Sequence, residues 1–409
     1  MAASERVPKG ASELDKCVHC GLCLNACPTY RELHVEMDSP RGRIYQMVQV
    51  AAGAPITDSY REHIDLCLAC RACETACPSG VRYGHLIENA RAEIEDRIQR
   101  PFTTRVLRNF VFEKLLPSQK MLRFAGTLLR MRQAIPLRLP GRLGQLEALA
   151  PQVEKPFFSA TGVFPATGER RHRVAFLTGC IANICFARLN EATVRVLQAN
   201  GCEVTIPENQ TCCGALHVHS GLRQPARRLA AQNVAACLDG NFDAIITNAG
   251  GCGSTLKEYG ELLDGDARAQ DFANRVKDVS EFLASIELRE PSKEIRATVT
   301  YQDSCHLAHG QRVRSAPRQL LKRVPGLVLK EMRASDHCCG SAGIYNVVHA
   351  DMSMALLEKK MEAVNATGAD RIVTANPGCM LQLRAGVARW GHGQRVSHVV
   401  EILDEAYGG

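Results

Sequence analysis

Two runs of cysteine dominate the first hundred residues: Cys17-x-x-Cys20-x-x-Cys23-x-x-x-Cys27-Pro28 and Cys67-x-x-Cys70-x-x-Cys73-x-x-x-Cys77-Pro78. Three thiolates spaced two residues apart wrap one face of an iron–sulfur cube, and a fourth, after a three-residue gap, points at a neighbouring cube. The spacing therefore predicts two [4Fe–4S] clusters with crossed ligands. Cys17, Cys20, Cys23 and Cys77 are expected on the first, and Cys67, Cys70, Cys73 and Cys27 on the second. Gly21, Ala26, Ala69, Ala72 and Ala76 are small enough to let backbone N–H groups approach the sulfides, where such hydrogen bonds tune the potential. Zinc knuckles would show paired Cys-x-x-Cys units with a longer intervening loop. A third cysteine and a trailing Cys-Pro, both occurring twice, argue against that. Two clusters joined by crossed ligands make a short path for single electrons.

A second set of cysteines follows a different rule. Cys180, Cys212-Cys213-Gly214 and Cys252 recur as Cys305, Cys338-Cys339-Gly340 and Cys379, at offsets of 125, 126 and 127 residues. Such regularity indicates a tandem duplication. Adjacent thiols do not readily form two corners of an ordinary cube, though they can bridge an open or distorted cluster. Cys185, Cys202 and Cys237 fall outside the repeat and read as core.

The elements that must hold these residues divide the chain near residues 100, 171 and 295. Residues 1–100 are expected to form a helical two-cluster ferredoxin domain, with helix over Pro40 to Leu66 and a closing charged helix from His85 to Gln99. Residues 101–170 read as an amphipathic helical connector and linker. Between Pro101 and Gln145, nine Arg or Lys (Arg105, Arg108, Lys114, Lys120, Arg123, Arg130, Arg132, Arg138, Arg142) face one acid, Glu113, and account for the chain's net charge of +7. A solvated basic face packed on its own protein competes there with docking on an anionic membrane surface or a partner subunit. Residues 171–290 and 296–409 alternate short apolar strands (from His172, Ala244, Ala297 and Arg371) with helices (Ala187 to Ala199, Gln224 to Leu238, Pro317 to Arg323, Asp351 to Asn365). This is the pattern of βα units around a mostly parallel sheet. The fold class expected is thus α+β multidomain, a helical cluster domain followed by two α/β domains.

Composition excludes several classes. With 409 residues and 45% hydrophobic content the chain can bury ordinary cores. Its 19 cysteines are clustered, unlike a secreted disulfide framework. Met1 to Gly10 carries no secretory signal, and no apolar run is long enough to span a bilayer. A reducing, cytoplasmic compartment is expected. No nucleic-acid motif accompanies the basic segment, and no Gly-x-Gly-x-x-Gly or phosphate-binding loop is present, so flavin and nicotinamide belong elsewhere.

The repeated Cys…Cys-Cys-Gly…Cys pattern resembles the cysteine-rich "CCG" domain of heterodisulfide reductase and of iron–sulfur subunits of respiratory oxidoreductases. With the double cluster run upstream, and with Phe176-Leu-Thr-Gly-Cys180, Cys212-Cys-Gly-Ala-Leu-His-Val-His219 and Asn248-Ala-Gly-Gly-Cys-Gly253, the whole chain resembles the iron–sulfur subunits of bacterial glycolate oxidase. The related lactate and anaerobic glycerol-3-phosphate enzymes match these strings less well. The resemblance implies FAD-containing partner subunits that oxidise glycolate to glyoxylate, or D-lactate in the same way. This chain would then relay electrons to a quinone or other acceptor, peripherally at the inner membrane, without oxidising substrate alone. A full CCG domain has a fifth cysteine, where Thr255 and Gln382 stand here. Either each copy holds a simpler cluster, or one or both hold none. Disulfide cleavage at a noncubane cluster is the rival activity, and the missing fifth ligand argues against it. His217, His219, His306 and His337 lie beside the repeated cysteines as candidate hydrogen-bond donors or proton carriers; His19, His63 and His85 have no partner visible in sequence.

Overall fold

The computed structural model of the protein describes residues 11–135, 153, 156–238 and 240–409. Its N-terminal part is built from short helices, Pro28–Leu33, Pro40–Ala51, Asp58–Asp65, Ala72–Thr75 and Tyr83–Arg97 among them. Pro28, directly after Cys27, opens the first of these, and Ser39 caps the next, its Oγ accepting from Gly42 N at 3.0 Å ahead of Pro40 at the first helical position. The single helix expected over Pro40 to Leu66 is two helices. Gly53 turns with φ +102°, and Pro55 would remove a donor and clash in a helix interior, so the chain breaks and Thr57 caps a new start. Ile44, Met47 and Val50 on one side of the break meet Tyr60, Ile64, Leu86, Ile87 and Ile94 in a core that also contains Cys67 and Cys73.

The duplicated region forms two sheets. The first has β1 (Gly162–Phe164), β2 (His172–Phe176), β3 (Cys202–Ile206), β4 (Ala244–Thr247) and β5 (Val276–Asp278) in the order β1-β3-β2-β4-β5. The second has β6 (Ala297–Tyr301), β7 (Leu327–Leu329), β8 (Arg371–Thr374) and β9 (Arg395–His398) in the order β7-β6-β8-β9. All pairings are parallel except that of the edge strand β1, which runs antiparallel to β3. Without β1 the two orders are the same. β4 is buried along its whole length and β2 over residues 174–176, as central strands of a parallel sheet are.

The copies exchange their last helices. Val279–Ala284 packs on Ser315–Lys322 of the second copy, and Val399–Tyr407 packs on Ala187–Ala199 of the first, where Arg195 clasps Asp404 at 3.0 and 2.6 Å. Both exchanged helices start at a capping box, Asp278 with Glu281 and His398 with Glu401. One hydrophobic core consequently runs through both sheets.

The connector starts with helix Phe102–Asn109, widens into a π-helical turn over Phe110–Leu115 and continues as helix Gln119–Gln133. Phe112, Leu116 and Leu122 enter the core of the first copy. Phe102, Val106 and Phe110, then Phe124, Leu128, Met131 and Ile135, recur at helical spacing and face solvent. Arg138 and Arg142 lie outside the described residues.

Candidate iron–sulfur sites

Two adjoining cavities lie between the short N-terminal helices. The first, about 420 Å³, is lined by Cys17, Cys20, Cys23 and Cys77 with Arg41 and Val81. The second, about 290 Å³, is lined by Cys27, Cys67, Cys70 and Cys73 with Thr29, Arg43 and Leu68. Cys73, Pro40 and Tyr83 border both. With the shared Cys73 set on the second, each cavity has four thiols from two separate stretches of chain on its wall, and a cubane needs one thiolate per iron.

The loops that deliver these thiols share one backbone device. In the first run His19 and Gly21 have φ of +53° and +84°; in the second Ala69 and Arg71, at the same positions, have +51° and +64°. Alternation of left-handed residues turns successive N–H groups into one concavity, a form that suits anionic clusters. Only Gly21 takes this conformation without strain, and a Cβ there would lie 2.6 Å from the Arg41 guanidinium. The strain at His19, Ala69 and Arg71 marks loops shaped for what they enclose.

The two cavities differ in access and in charge. Cys20 is exposed at the rim of the first, beside Val18 and Leu22, 68% and 60% exposed. All four thiols of the second are buried. There Arg43, fully buried, donates to Thr29 Oγ1 at 3.2 Å, to Asp38 at 3.3 Å and to the His63 carbonyl at 2.6 Å, and its guanidinium stands 4.0 Å from Cys27 Sγ. Burial works against its charge, and the surrounding Cys67, Tyr83, Cys27 and Asp38 together more than offset this. Burial likewise pushes the Cys70 and Cys73 thiols well above the ordinary range. Ligation to iron is what would hold them deprotonated.

The structure brings together all four repeated cysteines in each copy. Cys180, Cys212, Cys213 and Cys252 touch thiol to thiol in that order, with Cys180 Sγ 3.5 Å from Cys212 Sγ. Cys305, Cys338, Cys339 and Cys379 form the same chain. Gly214 and Gly340, at φ +78° and +87°, turn the chain after each Cys-Cys pair. Thr255 and Gln382 are buried; Gln382 donates to Ser353 Oγ at 2.9 Å. Cys185, Cys202 and Cys237 are buried as well.

The histidines mostly tie domains together. His217 donates to the Phe112 carbonyl at 2.7 Å, pinning the connector, and burial lowers its pKa. His219 meets Glu88 at 2.9 Å and stands edge-on to His306, which reaches the Ala69 carbonyl at 3.0 Å. His337 meets Arg31 at 2.5 Å, and burial with that guanidinium lowers its pKa to about 4. Of those without a visible partner, His63 meets Asp38 at 2.8 Å and His85 meets Glu261 at 3.0 Å. Arg43, Arg71 and Lys360 were not singled out by sequence. Arg71, inside the second cysteine run, reaches Ser254 at 3.2 Å and Glu258 at 2.6 Å, and so fixes the cluster domain to the first copy. In sequence it looks like an ordinary solvated arginine; only its place between Cys70 and Cys73 marks it.

Among the described residues no helix is long and apolar enough to cross a membrane. The chain matches the 4Fe-4S dicluster domain over residues 13–81 and the cysteine-rich CCG domain twice, over residues 174–257 and 299–384. It is 44% identical to the probable glycolate oxidase iron-sulfur subunit of Bacillus subtilis, covering 99% of this chain and 96% of that one. It is 33% identical to the glycolate oxidase iron-sulfur subunit of Escherichia coli, covering 99% and 97%. Lactate utilization protein A of Geobacillus kaustophilus is 30% identical over 57% of this chain and 98% of its own length. A dicluster domain ahead of two cysteine-rich domains, and identity sustained over nearly all of two such subunits, mean that this chain belongs to the family of glycolate oxidase iron–sulfur subunits.

Proposed function

We propose that this chain is the electron-transfer subunit of a glycolate-oxidising complex, taking electrons from a flavin-bearing partner and passing them to a quinone or similar acceptor. Cys17, Cys20, Cys23 and Cys77 hold one [4Fe–4S] cluster, and Cys67, Cys70, Cys73 and Cys27 hold the other. The observation that carries this reading is the pair of adjoining cavities, each lined by one crossed set of four thiols. When bound, such clusters supply one-electron storage that can drain a two-electron flavin in two steps. Val18 and Leu22 form an apolar lip around exposed Cys20 where a partner docks, while Arg43 offsets the charge of the buried site. With no dinucleotide-binding loop in the sequence, the isolated chain leaves glycolate untouched. The exposed apolar stripes of the connector, flanked by Arg105, Lys120, Arg123 and Arg130, rest on an anionic lipid surface. The cysteines of the duplicated region are candidates for a further iron–sulfur centre.

Crossed ligation has a direct test. EPR of the anaerobic chain should lose the same signal in Cys77→Ser as in Cys17→Ser, and the other in Cys27→Ser as in Cys67→Ser. If Cys77→Ser instead removes the signal removed by Cys67→Ser, the assignment is wrong. Glycolate-driven and D-lactate-driven reduction of the reconstituted complex, compared side by side, identifies the substrate. Sedimentation with anionic but not zwitterionic vesicles, reversed by salt, is expected of the connector.

A further inference from the structure

The duplication carries two thiol tetrads into very different surroundings. Helices Arg223–Leu238 and Ala350–Asn365 are equivalent elements, and Ala226 and Ser353 face the turning glycines Gly214 and Gly340 from matching places. Seven residues further along each helix stand Asn233 and Lys360. Asn233 is a neutral brace: it accepts from Thr211 N at 2.8 Å and donates to the Cys212 carbonyl and Tyr259 Oη, both at 3.1 Å. Lys360 is a cation only 4% exposed, donating to the carbonyls of Ala334 at 2.8 Å and Ser335 at 3.1 Å, just ahead of Cys338-Cys339. Among the described residues it forms no ion pair with a carboxylate. Burial lowers its pKa below the ordinary lysine range, opposed most by Cys339 and Cys338, ahead of Asp336 and Asp303.

A second difference is position. Cys338 packs in one apolar cluster with Cys70, Leu68, Ala72, Tyr345 and Leu356, with Cys305 at its edge. Cys70 belongs to the buried N-terminal cavity. Cys180, Cys212 and Cys213 lie in cores that contain no N-terminal cysteine. Both tetrads have a backbone donor from the turning glycine, Gly214 N on Cys212 and Gly340 N on Cys338, and the second adds Asn376 Nδ2, 3.4 Å from Cys379 Sγ.

We propose that the second tetrad, Cys305, Cys338, Cys339 and Cys379, holds this chain's third iron–sulfur centre, that the first tetrad does not hold one, and that Lys360 is the buried countercharge of that centre. The proposal rests on reading the repeated cysteines as cluster ligands, and says which of them are. A thiolate-ligated cluster is an anion, and a buried anion is costly unless a cation or donors accompany it. Lys360 provides that cation, and by favouring the more negative, reduced state it raises the potential of the centre. In the transfer one electron enters from the N-terminal centre at Cys70 and one leaves to the acceptor, with no bond made or broken.

The test is iron and sulfide quantification with an EPR-monitored redox titration of the full chain, purified anaerobically, in five forms: wild type, Cys338→Ser, Cys212→Ser, Lys360→Met and Lys360→Arg. The two N-terminal signals report that each variant has folded. The expected result is a third signal that is lost in Cys338→Ser and kept in Cys212→Ser. In Lys360→Met it becomes at least tenfold harder to reduce, a shift of about −59 mV for one electron; in Lys360→Arg it stays near wild type. A third signal lost in Cys212→Ser, or a fourth signal, overturns the assignment while leaving the broader reading intact. An unshifted potential in Lys360→Met overturns the role of the lysine alone. Iron for two cubanes only, in every form, overturns the assignment and the broader reading together.

Discussion

The two halves of the duplicated region keep the same strand order, the same chain of four thiols and the same turning glycine, and differ in what surrounds them. Around Cys212-Cys213 the neighbours are amide and phenol: Asn233 and Tyr259, whose Oη donates to the Cys213 carbonyl at 2.8 Å. Around Cys338-Cys339 they include a buried ammonium and a cysteine of the cluster domain. A duplicated scaffold therefore conserves geometry more strictly than charge. Charge is also the cheaper thing to change, because one residue on a helix suffices, whereas moving a thiol requires a new loop.

The two halves part most sharply at their turning glycines. Both turning glycines have positive φ, so alanine is strained at either by about 1 kcal/mol. At Gly214 the new Cβ would meet nothing nearer than Ala226 at 3.6 Å, and the cost should stop there. At Gly340 it would fall 2.5 Å from the Ser353 carbonyl oxygen, which belongs to the backbone of the helix that carries Lys360. Gly340→Ala is expected to cost on the order of 3 kcal/mol, and to displace that helix from the second tetrad. Denaturant midpoints, with hydrogen exchange over Ala350–Asn365, would measure this. Equal midpoints for the two alanine variants would mean that the halves are as alike in packing as in topology. A smaller contrast of the same kind exists in the cluster domain. Arg43→Met should cost about 3 kcal/mol, because it leaves Asp38 buried without its guanidinium, whereas Arg41→Met, at a solvent-exposed ion pair with Glu36, should leave the unfolding midpoint near that of the wild type.

Sequence made the thiols legible because their chemistry dictates their spacing. The offsets between repeated cysteines likewise announced two copies of one fold, and the helices at Ala187–Ala199 and Ala350–Asn365 follow from apolar periodicity. What stayed hidden has a common cause. The break at Gly53-Ala54-Pro55 is a local conflict inside an otherwise helical pattern, and periodicity averages over it. The charged residues that matter most, Arg43, Arg71 and Lys360, sit on helices or loops where basic residues normally face water; only tertiary packing turns them inward. Lys359 and Lys360 are neighbours in sequence, yet one pairs with Glu32 on the surface and the other lies buried. The exchange of last helices between copies is invisible for the same reason, since the sequence does not say which surface an amphipathic helix covers.

The exchanged helices also differ between the copies, at their caps. Asp278 and His398 occupy equivalent caps, the one accepting from Ser280 N at 2.8 Å and the other from Val400 N at 3.2 Å. Burial pushes the Asp278 carboxyl up to about 7, and burial lowers His398 to about 4. Asp278 holds its proton more tightly folded than unfolded, so its contribution is complete below about 3.8 and is lost as pH rises toward 7. His398 holds its proton less tightly folded, so its contribution is complete above about 6.5 and is lost as pH falls toward 4. Over the shared window the two caps oppose one another, each with a slope of at most about 1.4 kcal/mol per pH unit. Asparagine is a good cap without a titrating group. Between pH 5 and 6.5, Asp278→Asn should therefore make stability rise more steeply with pH than in the wild type, and His398→Asn should make it rise less or fall. Unfolding midpoints across that range would register the opposite signs; slopes that move together in the two variants would mean that the caps, like the tetrads, have diverged beyond what their shared geometry implies.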